Sequence, residues 1–326
     1  MVDLALLGCG GGMPMPNRFL SALLINYRGR KILIDCGEGT QVSMKMLGWG
    51  FKSIDVIAIT HGHGDHTVGL PGLLATIGNS GRTEPVTIIG PEGIREIIRG
   101  LRVIVPYLPY DINLIENPIK EIAFNFLEEL LYPIALEEDT TENNSNSLIK
   151  GELIISTLPL EHSAPCLGYS FYINRRQKFD MEKAETNNVP KCLWNNLQKG
   201  QDIEYEGIQY NPSMVLGRGR NGIKLSYITD TRPLNSIVNF IKNSDLFICE
   251  GTYGSDEDLH KAIKNKHMTF SEAAKLAYDG NVKELILTHF SPAMTEPEEY
   301  VNNAKNIYKN IIIGKDRMIK TLKFLD

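Results

Sequence analysis

The chain has 326 residues, 42% of them hydrophobic and 22% charged, an ordinary globular composition that excludes a disordered chain and leaves room for one large core or two modest ones. Its 34 lysines and arginines against 39 aspartates and glutamates give a formal charge of −5, which argues against gripping nucleic acid over the whole surface and restricts any such contact to a local basic patch. Five cysteines without paired spacing, Cys9, Cys36, Cys166, Cys192 and Cys249, read as reduced thiols of a cytoplasmic protein and not as a disulfide frame. No run of 18 apolar residues predicts a membrane span, and MVDLALLGCGGGM lacks the basic start and apolar length of a secretory leader.

In chain order, Val2–Leu7, Ser21–Asn26 and Lys31–Asp35 read as strands, followed by a helix over Thr40–Leu47 that Gly48 stops. Ile54–Thr60 and Val86–Ile89 are further predicted strands, and Pro91–Arg99 a helix with the proline in its first turn and Gly100 after it. The polar, Asn-rich stretch Glu137–Lys150 reads as a mobile loop tip, because strand signals resume at Leu153–Leu158 and Gly168–Ile173. Residues 174–221 show few apolar periodicities and read as an arm inserted into a single domain spanning 1–326. Strands over Ile223–Thr229, Leu246–Cys249, Leu285–Thr288 and Met318–Leu325 follow, with helices over Leu234–Lys242 and Phe270–Tyr278. The last of these helices opens on the capping box Thr269-x-x-Glu272 and stops at Gly280. The pattern is α/β, and no repeat of 20–50 residues is visible.

Three of the seven histidines fall within THGHGDHTVGL, just past the strand ending at Thr60. His61 and His63, two apart on extended backbone, can point the same way, while Gly62 and Gly64 let the chain bend and bring Asp65 and His66 toward the same space. Imidazole nitrogen and carboxylate oxygen suit zinc, with manganese or iron as alternatives, and two sub-sites sharing a carboxylate can hold a metal pair about 3.5–4 Å apart. His162, Asp230, Glu250 and His289 each follow a predicted strand's carboxyl end, the edge at which ligand sites of α/β sheets gather. The Gly8–Gly12 turn with Asn17, Arg18 and Ser21 offers backbone N–H groups and a cation for a phosphate. A dinucleotide fingerprint there, with Asp35 as the ribose acid, fails because Gly8-x-Gly10-x-x-Met13 lacks the third glycine and a helix start.

HGHGDH, together with LLGCGGGMP, ILIDCGEGTQ, VGLPGLL, ITDTRP, HMTFSEAA and LILTHFSP, resembles the ribonuclease Z family of the metallo-β-lactamase fold over nearly the whole chain. The resemblance implies a four-layer αββα metallo-β-lactamase sandwich with an inserted protruding arm. It further implies two zinc ions per subunit, one held by His61, His63 and His162, the other by Asp65, His66 and His289, with Asp230 bridging. Such a pair lowers the pKa of a shared water from 15.7 toward neutrality and polarises the phosphate oxygen, so the implied reaction is metal-hydroxide attack on a phosphodiester. Asp65 would orient that water, His267 would protonate the leaving oxygen, and Glu250 would hold the charge state of the site by hydrogen bonding. The implied substrate is precursor tRNA, cut to leave a 3′-hydroxyl, and the implied assembly a homodimer.

Within residues 174–221, Arg175, Arg176, Lys178, Lys183, Lys191, Lys199, Arg218 and Arg220 concentrate positive charge where the family carries a tRNA-clamping exosite. Ser291, after the last metal ligand, completes the substrate-binding candidates. Two departures stand out: NNVPKCLW occupies the place of the family's Gly-Pro turn, and no Arg-Tyr follows Ser291 in HFSPAM. These departures and the acidic net charge favour, as the alternative enzyme, a phosphodiesterase or arylsulfatase acting on small esters. A non-catalytic RNA-binding scaffold is the other rival, and the seven intact ligands speak against it.

Overall fold

The computed structural model describes residues 1–119, 121–127, 130–134 and 151–325; the polar stretch Glu137–Lys150 lies outside them. The first half runs β1 (Val2–Gly8), β2 (Ala22–Tyr27), β3 (Arg30–Ile34), α1 (Thr40–Leu47), β4 (Ile54–Ala58), α2 (Gly64–Thr67), α3 (Leu70–Asn79), β5 (Val86–Gly90), α4 (Ile94–Leu101) and β6 (Ile112–Glu116). Next come β7 (Ile122–Leu127), β8 (Leu130–Pro133), β9 (Leu153–Leu160), β10 (Cys166–Arg175), α5 (Met181–Thr186), α6 (Trp194–Gln198), β11 (Ile203–Tyr205) and β12 (Ile208–Tyr210). The chain continues through β13 (Arg220–Ile228), α7 (Asn235–Ile241), β14 (Leu246–Glu250), α8 (Leu259–Asn265) and α9 (Phe270–Asp279). It closes with β15 (Leu285–Thr288), α10 (Val301–Lys305), β16 (Ile311–Ile313) and β17 (Met318–Leu322).

Two large sheets result. One has the order β17-β1-β2-β3-β4-β5-β6, the other β16-β15-β14-β13-β10-β9-β7-β8. In the first, β3 to β6 run parallel, so the carboxyl ends of β3, β4 and β5 share one edge; in the second, β13 to β16 do the same. Both faces of the first sheet are buried. Leu24, Leu33, Ile57 and Ile88 pack under Met44 of α1, Leu70, Leu73, Leu74 and Ile77 of α3, and Ile94 and Ile98 of α4. The alternate residues Leu23, Ile25, Ile32 and Ile34 point the other way and are equally buried, as the two-residue period of a strand demands. The partner on that side is the second sheet: the Tyr169 hydroxyl of β10 donates to the Ile59 carbonyl at 2.7 Å, and the Leu167 amide to the Thr60 carbonyl at 2.9 Å. Helices α7, α9 and α10 cover the second sheet's outer face with Ile237, Ile241, Phe270, Ala273, Ala274 and Ala304. The layers are therefore helix, sheet, sheet, helix.

By backbone contacts the chain divides into two compact units, Met1–Ile173 with Ile223–Lys323, and Asn174–Gly222 with Phe324–Asp326. The smaller unit has more regular structure than its sequence predicts. Ala184, Val189, Leu193, Leu197, Tyr210 and Val215 form a small apolar core of its own, with Phe179 and Trp194 against it. Those apolar positions are scattered over short helices and a hairpin, so no window is long enough to display a period.

Two further differences have local causes. The expected helix at Pro91–Arg99 begins instead at Ile94, because Gly93 adopts a left-handed conformation (φ 88°) that closes a turn at Pro91–Gly93, and Gly100 lies inside the helix. Helix α3 forms in VGLPGLL, where the sequence pattern predicts none; Pro71 sits in its first turn, and Gly72 is where the Gln41 side chain approaches, its Nε2 donating to the Gly72 carbonyl at 2.8 Å. By contrast Gly48 ends α1 in a left-handed cap, and the Thr269–Glu272 capping box opens α9, as read from the sequence.

Candidate metal centre and catalytic cleft

His61 to His66 turn the chain from β4 into α2. His63 keeps extended backbone (φ −65°, ψ 154°), and Gly62 lies so close to α4 that an added Cβ would stand 2.5 Å from Ile97 Cδ1. From the second sheet, His162 stands two residues past β9, Asp230 two past β13, Glu250 at the last residue of β14, and His289 directly after β15. Asp230 (φ 48°) and His289 (φ 58°) are left-handed without being glycine, an arrangement that costs about 1–3 kcal/mol each and clusters at functional sites.

The side chains converge in two groups. His61 Nε2 is 3.0 Å from His63 Nδ1 and 3.6 Å from Asp230 Oδ2, while His162 Nε2 is 3.3 Å from His63 Nδ1 and 3.7 Å from Asp230 Oδ2. In the other group His66 Nε2 and His289 Nε2 are 3.3 Å apart, each about as far from Asp65 Oδ2 (3.6 and 3.5 Å) and from Asp230 Oδ1 (3.5 and 3.1 Å). Asp230 thus offers one oxygen to each group. A tetrahedral cation with ligand bonds of about 2.0–2.1 Å separates its ligand atoms by about 3.3–3.4 Å, the middle of the range seen here. The hydrogen-bond pattern agrees. The second ring nitrogens of His61, His66, His162 and His289 face Thr60 Oγ1 (3.1 Å), Asp35 Oδ2 (2.8 Å), the Lys266 carbonyl (3.3 Å) and Thr252 Oγ1 (3.0 Å). The Nε2 atoms of these four rings are thereby turned inward, the arrangement of metal-binding imidazoles whose other nitrogen is held by a hydrogen-bond partner.

The electrostatics follow from burial and proximity. Burial works to raise the Asp65 and Asp230 carboxyls, but the surrounding histidines outweigh it and hold both well below the usual carboxylate range. Burial disfavours charge on both His61 and His66; His61 stays low, whereas at His66 the Asp35 and Asp230 carboxylates outweigh burial and lift it. His267 is pushed up to about 9: burial lowers it, and Glu250, its Oε1 at 3.2 Å from His267 Nδ1, more than compensates. Glu250 is itself pinned by the Thr231 amide (2.7 Å), the Met268 amide (3.1 Å) and Thr252 Oγ1 (2.6 Å).

His63, Asp65, His162, Asp230, His267 and His289 line a cleft of about 490 Å³, which Gly11, Gly12, Ser291 and Pro292 and the segments holding Tyr253 and Lys264, Asn265 and Lys266 also line. The Gly12 amide donates to Asp65 Oδ2 at 2.7 Å, and a Cβ on Gly11 would lie 2.4 Å from His289 Cε1, so the turn after β1 packs against the ligand groups. His260, the remaining histidine, is exposed on α8 with its Nδ1 at the Glu257 carbonyl.

Asn17 and Arg18, expected at a phosphate, do not line the cleft. Asn17 (φ 66°) is the left-handed residue of a tight turn between Met15 and Arg18, and the Arg18 guanidinium donates to the Met294 and Thr295 carbonyls at 2.7 Å each. Arg176, Lys178 and Lys191 are exposed in the smaller unit; Lys191 stands over the Trp194 ring, and Arg175 donates to the Leu325 carbonyl and lies over Phe324. Residues 174–222 carry eight cations and six carboxylates, so the unit's basic residues are interleaved with acidic ones. Three residues support the site in roles the sequence does not predict: Asp35, read above only as a ribose acid, holds His66; Thr252 stands between Glu250 and His289; and Arg232 forks onto Glu272 and donates to the His267 carbonyl. Asp35 lies in ILIDCGEG, Arg232 in ITDTRP and Thr252 in CEGTYG, and none of these contexts points by itself to a histidine as the partner.

A sequence profile described as anti-Pycsar protein Apyc1 matches residues 2–101. A ribonuclease Z of Clostridium beijerinckii is 62% identical over 325 residues, covering 99% of each chain. Among solved structures, the metallo-β-lactamase fold protein YhfI from Bacillus subtilis superposes with a TM-score of 0.64 at 19% identity over 98% of both chains. The short form of human tRNase Z does so with a TM-score of 0.63 at 24% identity, covering 98% of this chain and 99% of that one. These structural likenesses establish the metallo-β-lactamase fold.

Proposed function

The chain belongs to the ribonuclease Z family, and on that premise we propose that it cuts the 3′ trailer from precursor tRNA at a centre of two zinc ions per subunit, leaving a 3′-hydroxyl on the tRNA. It is a hydrolytic endoribonuclease. The observation that carries it is the division of the Asp230 carboxylate, Oδ2 toward His61 and His162 and Oδ1 toward His66 and His289. His61, His63 and His162 would hold one ion, Asp65, His66 and His289 the other, and Asp230 both.

Bound there, the ions would lower the pKa of a water and draw charge from the phosphate. Asp65, fixed by the Gly12 amide, receives a hydrogen bond from the entering water and aims it at phosphorus. His267, kept protonated by Glu250, donates to the 3′-oxygen as its bond to phosphorus breaks, and the trailer departs with the phosphate. The Ser291 region and the smaller unit's cations would steer the RNA, and homodimerisation would let one subunit's arm serve its partner. Four of the five cysteines are buried and all are free, which supports a cytoplasmic setting. No helix among the described residues is long and apolar enough to cross a membrane.

Incubation with a trailer-bearing precursor tRNA tests the proposal. Asp65→Asn and His63→Ala should each abolish cleavage, and chelation should do so reversibly. Full activity in either variant removes the metal mechanism, and brisk turnover of bis-p-nitrophenyl phosphate with an untouched precursor favours the small-ester alternative.

A further inference from the structure

Among the described residues lining the cleft, Tyr253 contributes the one aromatic ring that is not an imidazole, and we propose that it is a platform on which the base of the last nucleotide retained by the tRNA stacks during cleavage. The inference rests on the precursor-tRNA reading above and adds to it a base-binding subsite.

The ring is held before any substrate arrives. Its backbone is clamped on both sides, the Tyr253 amide donating to the Met268 carbonyl at 3.2 Å and the Phe270 amide to the Tyr253 carbonyl at 2.9 Å. Its hydroxyl accepts from Asn265 Nδ2 at 2.7 Å. A ring fixed at both ends is preorganised, so stacking on it forgoes the ordering cost of a free side chain. Every base has a π-face, and single-stranded RNA is gripped through such rings with little regard to sequence, as suits an enzyme acting on many tRNAs.

Position assigns the nucleotide. Tyr253 neighbours His267, the two ring centroids 6.4 Å apart at 63°. His267 serves the leaving 3′-oxygen, and that oxygen belongs to the nucleotide that stays on the tRNA. The base beside Tyr253 is therefore the retained one and not the first of the trailer. Lys264, exposed and lining the same cleft, adds a cation for the RNA backbone, while Lys266 Nζ already donates to the His162 carbonyl at 3.1 Å.

The test is a cycle of two protein forms and two substrates: wild type and Tyr253→Leu, each on precursor tRNA with its normal last retained base and with an abasic residue there. Tyr253→Leu should lower kcat/KM on the normal precursor by about 5- to 100-fold, the abasic change should cost wild type a similar factor, and the two losses should not multiply. Tyr253→Phe, which keeps the ring and loses the Asn265 bond, should retain most of the activity. Equal Tyr253→Leu losses on both substrates would overturn the proposal and make the ring structural, as would a Tyr253→Phe loss as deep as that of Tyr253→Leu. Wild-type enzyme inert on the normal precursor would overturn the precursor-tRNA reading itself, and this subsite with it.

Discussion

His267 and Glu250 behave as one unit: the carboxylate at 3.2 Å stabilises the imidazolium, so the histidine keeps its proton at neutral pH and loses it only as pH rises through about 9. Activity that needs the protonated form is present below that value and falls above it. Glu250→Gln keeps a hydrogen-bonding group but removes the charge, and should move the alkaline limb of the kcat/KM profile down toward the ordinary imidazole value near 6.5. A limb that stays in place would assign it to another group. Far from the cleft, Arg82 is 1% exposed and donates to Asp55 and to the carbonyls of Lys52, Glu84 and Pro85. Replacing it with methionine leaves Asp55 with Arg30, whose Nε donates to it at 2.7 Å, and the Leu131 amide, but strips the Lys52, Glu84 and Pro85 carbonyls of their buried donor, and should cost about 1–3 kcal/mol in urea unfolding. Residues of this supporting kind were the least visible in the sequence. A histidine cluster announces itself by its own density, whereas Asp35 or Thr252 acquires meaning only when folding sets it against a ring 31 or 37 positions away.

Among elements, the turn after β1 shows how backbone alone can shape chemistry. Gly11 packs on the His289 ring and Gly12 donates to Asp65, so Gly11→Ala must displace either the imidazole or the turn. A shift of about 1 Å at a reacting group can cost about 100-fold, and a loss of that order in precursor cleavage, with the fold intact by circular dichroism, is the expected result. The elements most legible in the sequence are those with their own punctuation: α1 between Thr40 and its Gly48 cap, α9 behind its capping box, and the inner strands β4, β5 and β14, each mostly apolar with a single charged or hydroxyl residue. Short edge elements such as β8 and β16, and the helices of the smaller unit, span too few residues for a period to emerge and owe their form to what they pack against.

For the molecule as a whole, the two compact units invite separate interrogation. Replacing Arg176–Arg218 with a short Gly-Ser turn should raise KM for precursor tRNA steeply and spare turnover of bis-p-nitrophenyl phosphate, which needs only the cleft. Matched losses on both substrates would instead make the smaller unit part of the cleft's scaffold. The fold class was legible because the larger unit alternates strand and helix signals throughout, and so was the edge on which the candidate ligands gather, because parallel strands leave their carboxyl ends together.

The ligand atoms come from both sheets: His61, His63, Asp65 and His66 follow β4, and His162, Asp230 and His289 follow strands of the opposing sheet. Any ion seated among them is then a rivet through the sandwich. Cellular starvation for the metal would loosen the seam between the layers as well as silence the chemistry, and the unloaded polypeptide would become easier prey for proteases, so that supply of a trace element would govern how much of the enzyme persists.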